Sequence, residues 1–325
     1  MSVSDQVPVA SAFHAKSTAA EVLANCDLSE KTAIVTGGYS GLGLETVRAL
    51  ANSGAKVIVP ARSKAKAETA LSDIKGDVSI AVMDLAELSS VRKFAAQITV
   101  TLSRLDILIN NAGIMACPET RIGPGWEAQF GVNHMGHFAL VTTLMPLLQK
   151  TPNSRVVALS STGHKLSDIL WDDIQFEETE YEKWRAYGQA KTANALFANA
   201  MSRRLHESGG HAFSVHPGGI FTPLQRHLPK EDMISMGWLN EDGNPSEIAQ
   251  AVFKTPEQGA STTLWAATSP LLEAKAGVYC EDCNIAHPTD PSSPQARFVG
   301  VNAHACDDES AEQLWELSEA LLADA

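Results

Sequence analysis

No apolar run in this chain of 325 residues approaches the roughly 18–20 residues of a membrane-spanning helix, so no span is expected. The N-terminal stretch MSVSDQVPVASAFHAKSTAAEV has neither the basic start nor the apolar segment of a secretory signal, which makes the cytoplasm the expected compartment. Basic charge is short: 25 Lys and Arg stand against 38 Asp and Glu, a formal net charge of -13. That balance argues against general attraction to nucleic acid or an anionic membrane surface, while leaving room for a local basic site that holds a phosphate. Cysteine is scarce and odd in number, five in all, so no disulfide framework is expected. Cys280 and Cys283 form a C-x-x-C, but no second pair completes four ligands, and they read as two thiols at a strand end. His134 and His137 lack the acid and the spacing of a metal-binding helix and read as packing or hydrogen-bonding residues. No metal is expected. Repeats and low-complexity tracts are absent.

What the chain does have is 44% hydrophobic residues, ample for a large core, arranged in a regular alternation. Short apolar runs at Thr32–Thr36, Lys56–Pro60, Val78–Leu85, Leu105–Asn110 and Ser154–Ser160 read as strands, the first of them buried, separated by helix-length segments. Gly41–Asn52 carries Leu44, Val47 and Leu50 at helical spacing, Lys64–Ile74 is a second helix, and Trp184–His206 runs on without a proline. His211–Gly219 supplies a sixth strand ending in a Pro-Gly turn, and Gly277–Glu281 a last one. Such alternation predicts an α/β fold: one doubly wound parallel sheet with helices on both faces, in a single domain. Phe221–Lys254 is irregular, Thr255–Thr268 and Ala311–Leu322 read as helices, and the loop Asp282–Asp308 reads as surface. The expected organisation is an extension over 1–30, the main domain over 31–290 and a tail over 291–325.

Thr36-Gly37-Gly38-Tyr39-Ser40-Gly41-Leu42-Gly43 leaves a strand and enters a helix. Glycine there lets the backbone approach a pyrophosphate, and the helix N-terminus offers free N–H groups and a positive dipole end. About 20 residues on, dinucleotide sites place an acid for the ribose hydroxyls. Here that position is Ala61, followed by Arg62. Losing the carboxylate removes repulsion from a 2′-phosphate, and a guanidinium can grip that phosphate with two prongs, so NADP(H) is favoured over NAD(H). Asp84 and Leu85 after the third strand, and Asn111, Ala112 and Gly113 after the fourth, lie at carboxyl ends of strands, where open α/β sheets bind ligands.

Tyr187 and Lys191 stand four residues apart, hence on one helical face. A phenol of ordinary pKa near 10 is a poor base at neutral pH, and a neighbouring ammonium favours its ionised form. A depression of roughly three units would take about 4 kcal/mol, which Lys191 acting with an oxidised nicotinamide can supply. Ser160 and Ser161 end the fifth strand, where a hydroxyl can hold a substrate oxygen for proton exchange with Tyr187. Asn133, in a long helical region, reads either as a satisfied helix residue or as one that bends the helix and holds a relaying water.

TGGYSGLG, NNAG, the Asn of NHMGHF, the second Ser of LSS, YGQAK and HPGG stand in the order of the short-chain dehydrogenase/reductase family, which the chain resembles from Ser17 to about Leu321. The resemblance implies a Rossmann-type fold and a catalytic tetrad of Asn133, Ser161, Tyr187 and Lys191. It implies Tyr187 as general acid/base, Ser161 as the residue orienting the substrate oxygen, Lys191 on the nicotinamide ribose and Asn133 in the proton relay. Pro217, Gly218, Ile220 and Thr222 resemble the stretch that covers the nicotinamide end. STAAEV, NHMGHF and the C-terminal LWELSE are similar to the retinol dehydrogenase and WW-domain-containing oxidoreductase branch. Without WW domains or an N-terminal anchor, the chain resembles a free-standing, microbial-type relative. Tyr39 stands where many NADP-preferring relatives place a basic residue, so the cofactor expectation rests on Arg62.

The function expected is an NADP(H)-dependent oxidoreductase passing hydride between nicotinamide and a carbonyl or alcohol. Leu166, Ile169, Leu170, Trp171, Met233, Met236 and Trp238 make an apolar substrate the expectation. A catalytically silent NADP(H)-sensing protein is the alternative, although a sensor has no need of Tyr187 and Ser161 together. An epimerase or dehydratase of the extended family would carry a different Gly-turn spacing. A homo-oligomer built on Gly125–Lys150 and Trp184–His206 is a family-level expectation.

Overall fold

Strands buried on both faces must be apolar throughout, and the sequence supplies such runs wherever the sheet needs them. The computed structural model describes residues 2–325. Its first strands are β1 (Thr32–Val35), β2 (Lys56–Ala61), β3 (Val78–Val82) and β4 (Ile107–Asn110). A small antiparallel ribbon, β5 (Arg121–Ile122) and β6 (Trp126–Glu127), precedes β7 (Arg155–Leu159), β8 (His211–His216), β9 (Tyr279–Glu281) and β10 (Asn284–Ile285). The main sheet has eight strands in the order β10-β9-β8-β7-β4-β1-β2-β3, parallel except for β10. The chain winds outward from β1 to β3, then crosses back to β4 on the other side of β1. That reversal opens a crevice at the carboxyl ends of β1 and β4. The doubly wound α/β expectation is met.

The first helices are α1 (Ala19–Leu23), α2 (Gly41–Asn52), α3 (Lys64–Leu71) and α4 (Leu88–Thr101). The expected helix over 125–150 is interrupted: α5 (Ala128–Phe130) passes through a π turn at Gly131–Met135 into α6 (Gly136–Lys150). Asn133 sits in that wider turn, a register no periodicity reveals. Glu182 caps α7 (Lys183–Leu205) by accepting from the backbone N–H groups of Trp184 and Arg185. Ala190, Ala193, Ala195, Ala198 and Ala200 let α7 be buried on nearly every side.

After β8 come α8 (Lys230–Ser235) and α9 (Glu247–Val252). The expected helix over 255–268 is split into α10 (Pro256–Gly259) and α11 (Ser261–Thr268). The last helix, α12 (Asp308–Ala323), lies on α7. Its Trp315 stacks on Phe197 at 5.9 Å, meets Phe138 edge-on at 4.8 Å and sits beneath the Arg204 guanidinium at 3.8 Å. Burying that indole contributes roughly 3 kcal/mol. The α6–α7 patch of Phe138 and Phe197 is thus covered from within the chain.

The 282–308 loop is not simply surface. Ala286, Val301, Ala305 and Cys306 are buried in a small cluster with Tyr279 and Ala195. Single apolar residues spaced irregularly leave no pattern to read, which is why the sequence did not announce it. No helix among the described residues is long and apolar enough to cross a membrane.

Candidate active site

The Gly turn lies in the crevice between β1 and α2. Gly37 and Gly41 take φ of 64° and 52°, in the left-handed region that favours glycine. A Cβ on Gly43 would stand 2.3 Å from the Gly37 carbonyl oxygen, so helix and turn approach more closely than any side chain permits. Ser40 precedes α2 without its side chain capping the helix, leaving first-turn N–H groups to face the crevice. Thr222 packs against Gly41, its Cβ 3.3 Å from where a Gly41 side chain would begin, and Ile220 packs with Leu42 around Gly259. This brings the 217–222 segment, with Pro217 and Gly218, over the turn.

Across the crevice, Asn111 Nδ2 donates to the Thr36 carbonyl at 2.8 Å. The N–H groups of Asn111 and Ala112 both donate to Thr36 Oγ1 at 2.9 Å. His137 completes this tie. Its Nδ1 lies 2.9 Å from the Asn133 carbonyl, which can only accept, so Nε2 is left to accept from Thr36 Oγ1 at 2.8 Å. Burial pulls His137 down to about 4, which keeps it neutral in this role. His134 bonds Ser318 at 2.8 Å, and Cys280 and Cys283 are buried free thiols. No cluster of three metal-ligating side chains exists among the described residues.

At the end of β2, Ala61 is buried and Arg62 exposed, and Tyr39 packs on the cluster that contains Ala61. Arg62 makes no hydrogen bond or ion pair among the described residues. Asp84 Oδ1 accepts from the Ala86 N–H at 3.0 Å, and Leu85 is buried beside Gly136. Together the tight Gly turn and the open helix end fit the pyrophosphate of a nicotinamide dinucleotide.

The four nominated catalytic side chains arrive from three elements. Asn133 clamps both backbone groups of Ile114, accepting from its N–H at 2.8 Å and donating to its carbonyl at 2.9 Å. Its amide thus fastens the loop that contains Gly113. A Cβ on Gly113 would lie 3.1 Å from Asn133 Oδ1 and 3.9 Å from Lys191 Nζ, which places those groups side by side. Lys191 Nζ donates to the Leu159 carbonyl at 3.0 Å and stands 5.5 Å from the Tyr187 ring centre. Ser161 begins the 3-10 turn Thr162–Leu166 and accepts from the Gly163 N–H at 3.0 Å. Gly163 lies flat against the Tyr187 ring, where a Cβ would come within 2.7 Å. Ser160 points elsewhere, donating to the Lys191 carbonyl at 2.8 Å.

Burial pushes the Tyr187 phenol up to about 12, with the Ser161 hydroxyl pulling the other way. Burial also pulls Lys191 down to about 8. The lowering expected from sequence is for Lys191 acting with an oxidised nicotinamide; in the protein alone, burial sets the direction of the phenol. Desolvation outweighs the Ser161 hydroxyl bond, and the Lys191 nitrogen is held at the Leu159 carbonyl. The chain thus holds a protonated phenol at neutral pH, next to a hydroxyl and an ammonium.

Of the apolar residues nominated for the substrate side, Met233 and Trp238 pack in the cluster containing Tyr187, with Trp184, Leu224 and Leu228. Ile169 and Trp171 join the main core instead, and Leu166 is exposed. Sequence reasoning assigned no part to Thr36 or to the Trp184 ring, 6.2 Å from that of Tyr187. Thr36, at the strand end before the Gly turn, carried a positional signal; Trp184 carried only its i,i+3 spacing to Tyr187.

The chain is similar to known proteins over most of its length. The family model for short chain dehydrogenase matches residues 31–233. The chain is 41% identical over 314 residues to Short-chain dehydrogenase/reductase prx1 of Penicillium roqueforti, spanning 94% of this chain and 89% of that one. It is 35% identical over 310 residues to retinol dehydrogenase 14 of Homo sapiens, spanning 90% and 86%. A solved structure from Mycobacterium paratuberculosis aligns with a TM-score of 0.70 at 33% identity, over 94% of this chain and 97% of that one. The chain therefore belongs to the short-chain dehydrogenase/reductase family, in the company of the retinol dehydrogenases, and is an oxidoreductase acting on CH–OH groups.

Proposed function

We propose that the chain is an NADP(H)-dependent reductase of an apolar ketone or aldehyde, with Tyr187 as the proton donor. The observation that carries this reading is the convergence of Ser161, Tyr187 and Lys191 around a phenol that burial keeps protonated. Bound nicotinamide supplies or accepts the hydride. Ser161 holds the substrate oxygen, Tyr187 gives it a proton during reduction, and Lys191 places a positive charge beside that exchange. Asn133 acts by holding the Ile114 loop against Lys191. An apolar substrate is favoured by a run of rings leading away from Tyr187: Trp184 to Trp238 at 6.4 Å, then Phe253 at 5.8 Å and Phe221 at 4.8 Å.

A screen of aliphatic, aromatic and polycyclic carbonyls, followed by NADPH absorbance, tests the activity. Turnover of none of them by a folded protein that binds NADPH would count against it. The cofactor preference rests on Arg62. Arg62→Ala is expected to weaken NADPH binding roughly 10–100-fold, the worth of a charge-assisted phosphate contact, with little effect on NADH. An unchanged ratio of the two dissociation constants would remove the basis for NADP(H). Gly43→Ala should weaken both cofactors at least about tenfold, because its methyl must displace the turn carbonyl that borders the pyrophosphate site. Calorimetric titration of both nucleotides checks this, and equal binding by the variant would contradict it.

A further inference from the structure

Resting on the reading of Ser161 as the residue that orients the substrate oxygen, we propose that His164 and the C-terminal strap 296–304 form a positioning device for Ser161. The strap lies wholly beyond the family-matched residues 31–233.

Ser161 opens a 3-10 turn of five residues, too short to hold its own geometry. His164, on that turn, is fully buried. Its Nε2 accepts the Asn302 N–H at 3.1 Å, so Nδ1 carries the proton and donates to the Ser161 carbonyl at 2.7 Å. A protonated imidazole could not accept from Asn302, and burial keeps the ring neutral, pulling it down to about 3. The Tyr279 hydroxyl lies 3.3 Å from the same Nδ1. His304 Nε2 then donates back to the His164 carbonyl at 3.0 Å. Lys165, next along the turn, donates to the carbonyls of Ala296 and Val299. The strap itself is fastened to the end of β9 by the Gly300 N–H, which donates to Glu281 Oε1 at 2.8 Å.

The turn that His164 stabilises does two things at once. It aims the Ser161 hydroxyl, held by the Gly163 N–H, and it lays Gly163 against the Tyr187 ring. Asn302 reaches across 138 residues of chain to set the tautomer that holds this turn. His164 is thus a positioning residue, and the strap is its fixed support.

Three variants test this in the full-length protein: His164→Phe, which fills the space without hydrogen bonds; His164→Asn, whose amide can still donate to Ser161; and Asn302→Pro. The last replaces that backbone N–H by a proline ring carbon facing His164 Nε2, at a φ of -78° that proline also adopts. His164→Phe is expected to lower kcat roughly 10–100-fold, the usual cost of a displaced catalytic group, with NADPH affinity unchanged. His164→Asn should recover most of that loss, and Asn302→Pro should reproduce part of it. A misaimed Ser161 also ceases to pull the Tyr187 phenol down, so the pH for half-maximal alcohol oxidation moves upward. A purely structural role would scale the profile without moving it. Should His164→Phe fail to fold, Asn302→Pro carries the test through the same kcat and pH readouts. Full kcat and an unmoved profile in folded variants overturn the proposal, provided Ser161→Ala is inactive. If Ser161→Ala keeps full activity, the reading of Ser161 itself is what fails.

Discussion

Tyr187→Phe should lower kcat by about 10²–10⁴-fold, the usual contribution of a positioned acid or base, while leaving NADPH binding and thermal stability near those of the parent. The variant removes one oxygen and keeps the ring that rests on Gly163 and meets Trp184 edge-on. Single-turnover reduction of any accepted carbonyl, with NADPH affinity measured in parallel, separates loss of chemistry from loss of binding. Undiminished turnover would remove Tyr187 from the reaction and leave the dinucleotide site without a proton donor. The direction of the phenol's shift adds a pH signature. Reduction needs the protonated form, so its rate should hold through neutral pH and fall only on the alkaline side. Oxidation needs the ionised form and should rise there. Lys191, drawn down to about 8, loses its proton before Tyr187, at about 12, does. The alkaline limb therefore reports the pair rather than either residue.

Acidification should unfold the protein steeply between about pH 6 and pH 4. Four buried histidines have their pKa pulled down by burial: His134, His164 and His216 to about 3, and His137 to about 4. In the unfolded chain each would titrate near 6.5, so the unfolded state binds more protons at every pH between the two values. Their stabilisation is complete above pH 6.5 and is lost as the pH falls below it. Each costs about 1.4 kcal/mol per pH unit over that window. Glu281 works the other way. Burial pushes it up to about 7, so the folded state takes a proton there first and offsets about one histidine. The net slope is roughly 4 kcal/mol per pH unit, enough to exhaust an ordinary stability of about 5–15 kcal/mol within a few units. Urea unfolding midpoints measured at stepped pH test this. His134→Gln should make the dependence shallower, and a midpoint that stays level down to pH 4.5 would contradict the neutral burial of these rings.

Much of the site was legible because its parts are ordered along the chain by local chemistry. The Gly turn after β1, the Ala61–Arg62 pair after β2 and the Tyr187–Lys191 spacing are short-range patterns set by backbone sterics, charge and helical pitch. Parallel strands buried on both faces need continuous apolar runs, so the runs at Thr32, Leu105 and Ser154 could be assigned without knowing their neighbours. Asn133 was visible as an amide in a helical stretch, but not as the centre of a π turn that clamps Ile114. His134 and His137 were rightly read as packing and hydrogen-bonding residues, yet nothing in their spacing named Ser318 or Thr36 as partners.

The sequence by itself determined the α/β alternation and the family and nominated the polar groups of the candidate site, because each depends on residues within a few turns of one another. Only the tertiary structure decided how those groups behave. Desolvation set the Tyr187 phenol above its ordinary pKa in the protein alone, which its spacing to Lys191 does not show. The contact from Asn302 through His164 to Ser161 joins segments 138 residues apart. Burial and long-range hydrogen bonding are properties of the assembled fold, and no local window of residues contains them.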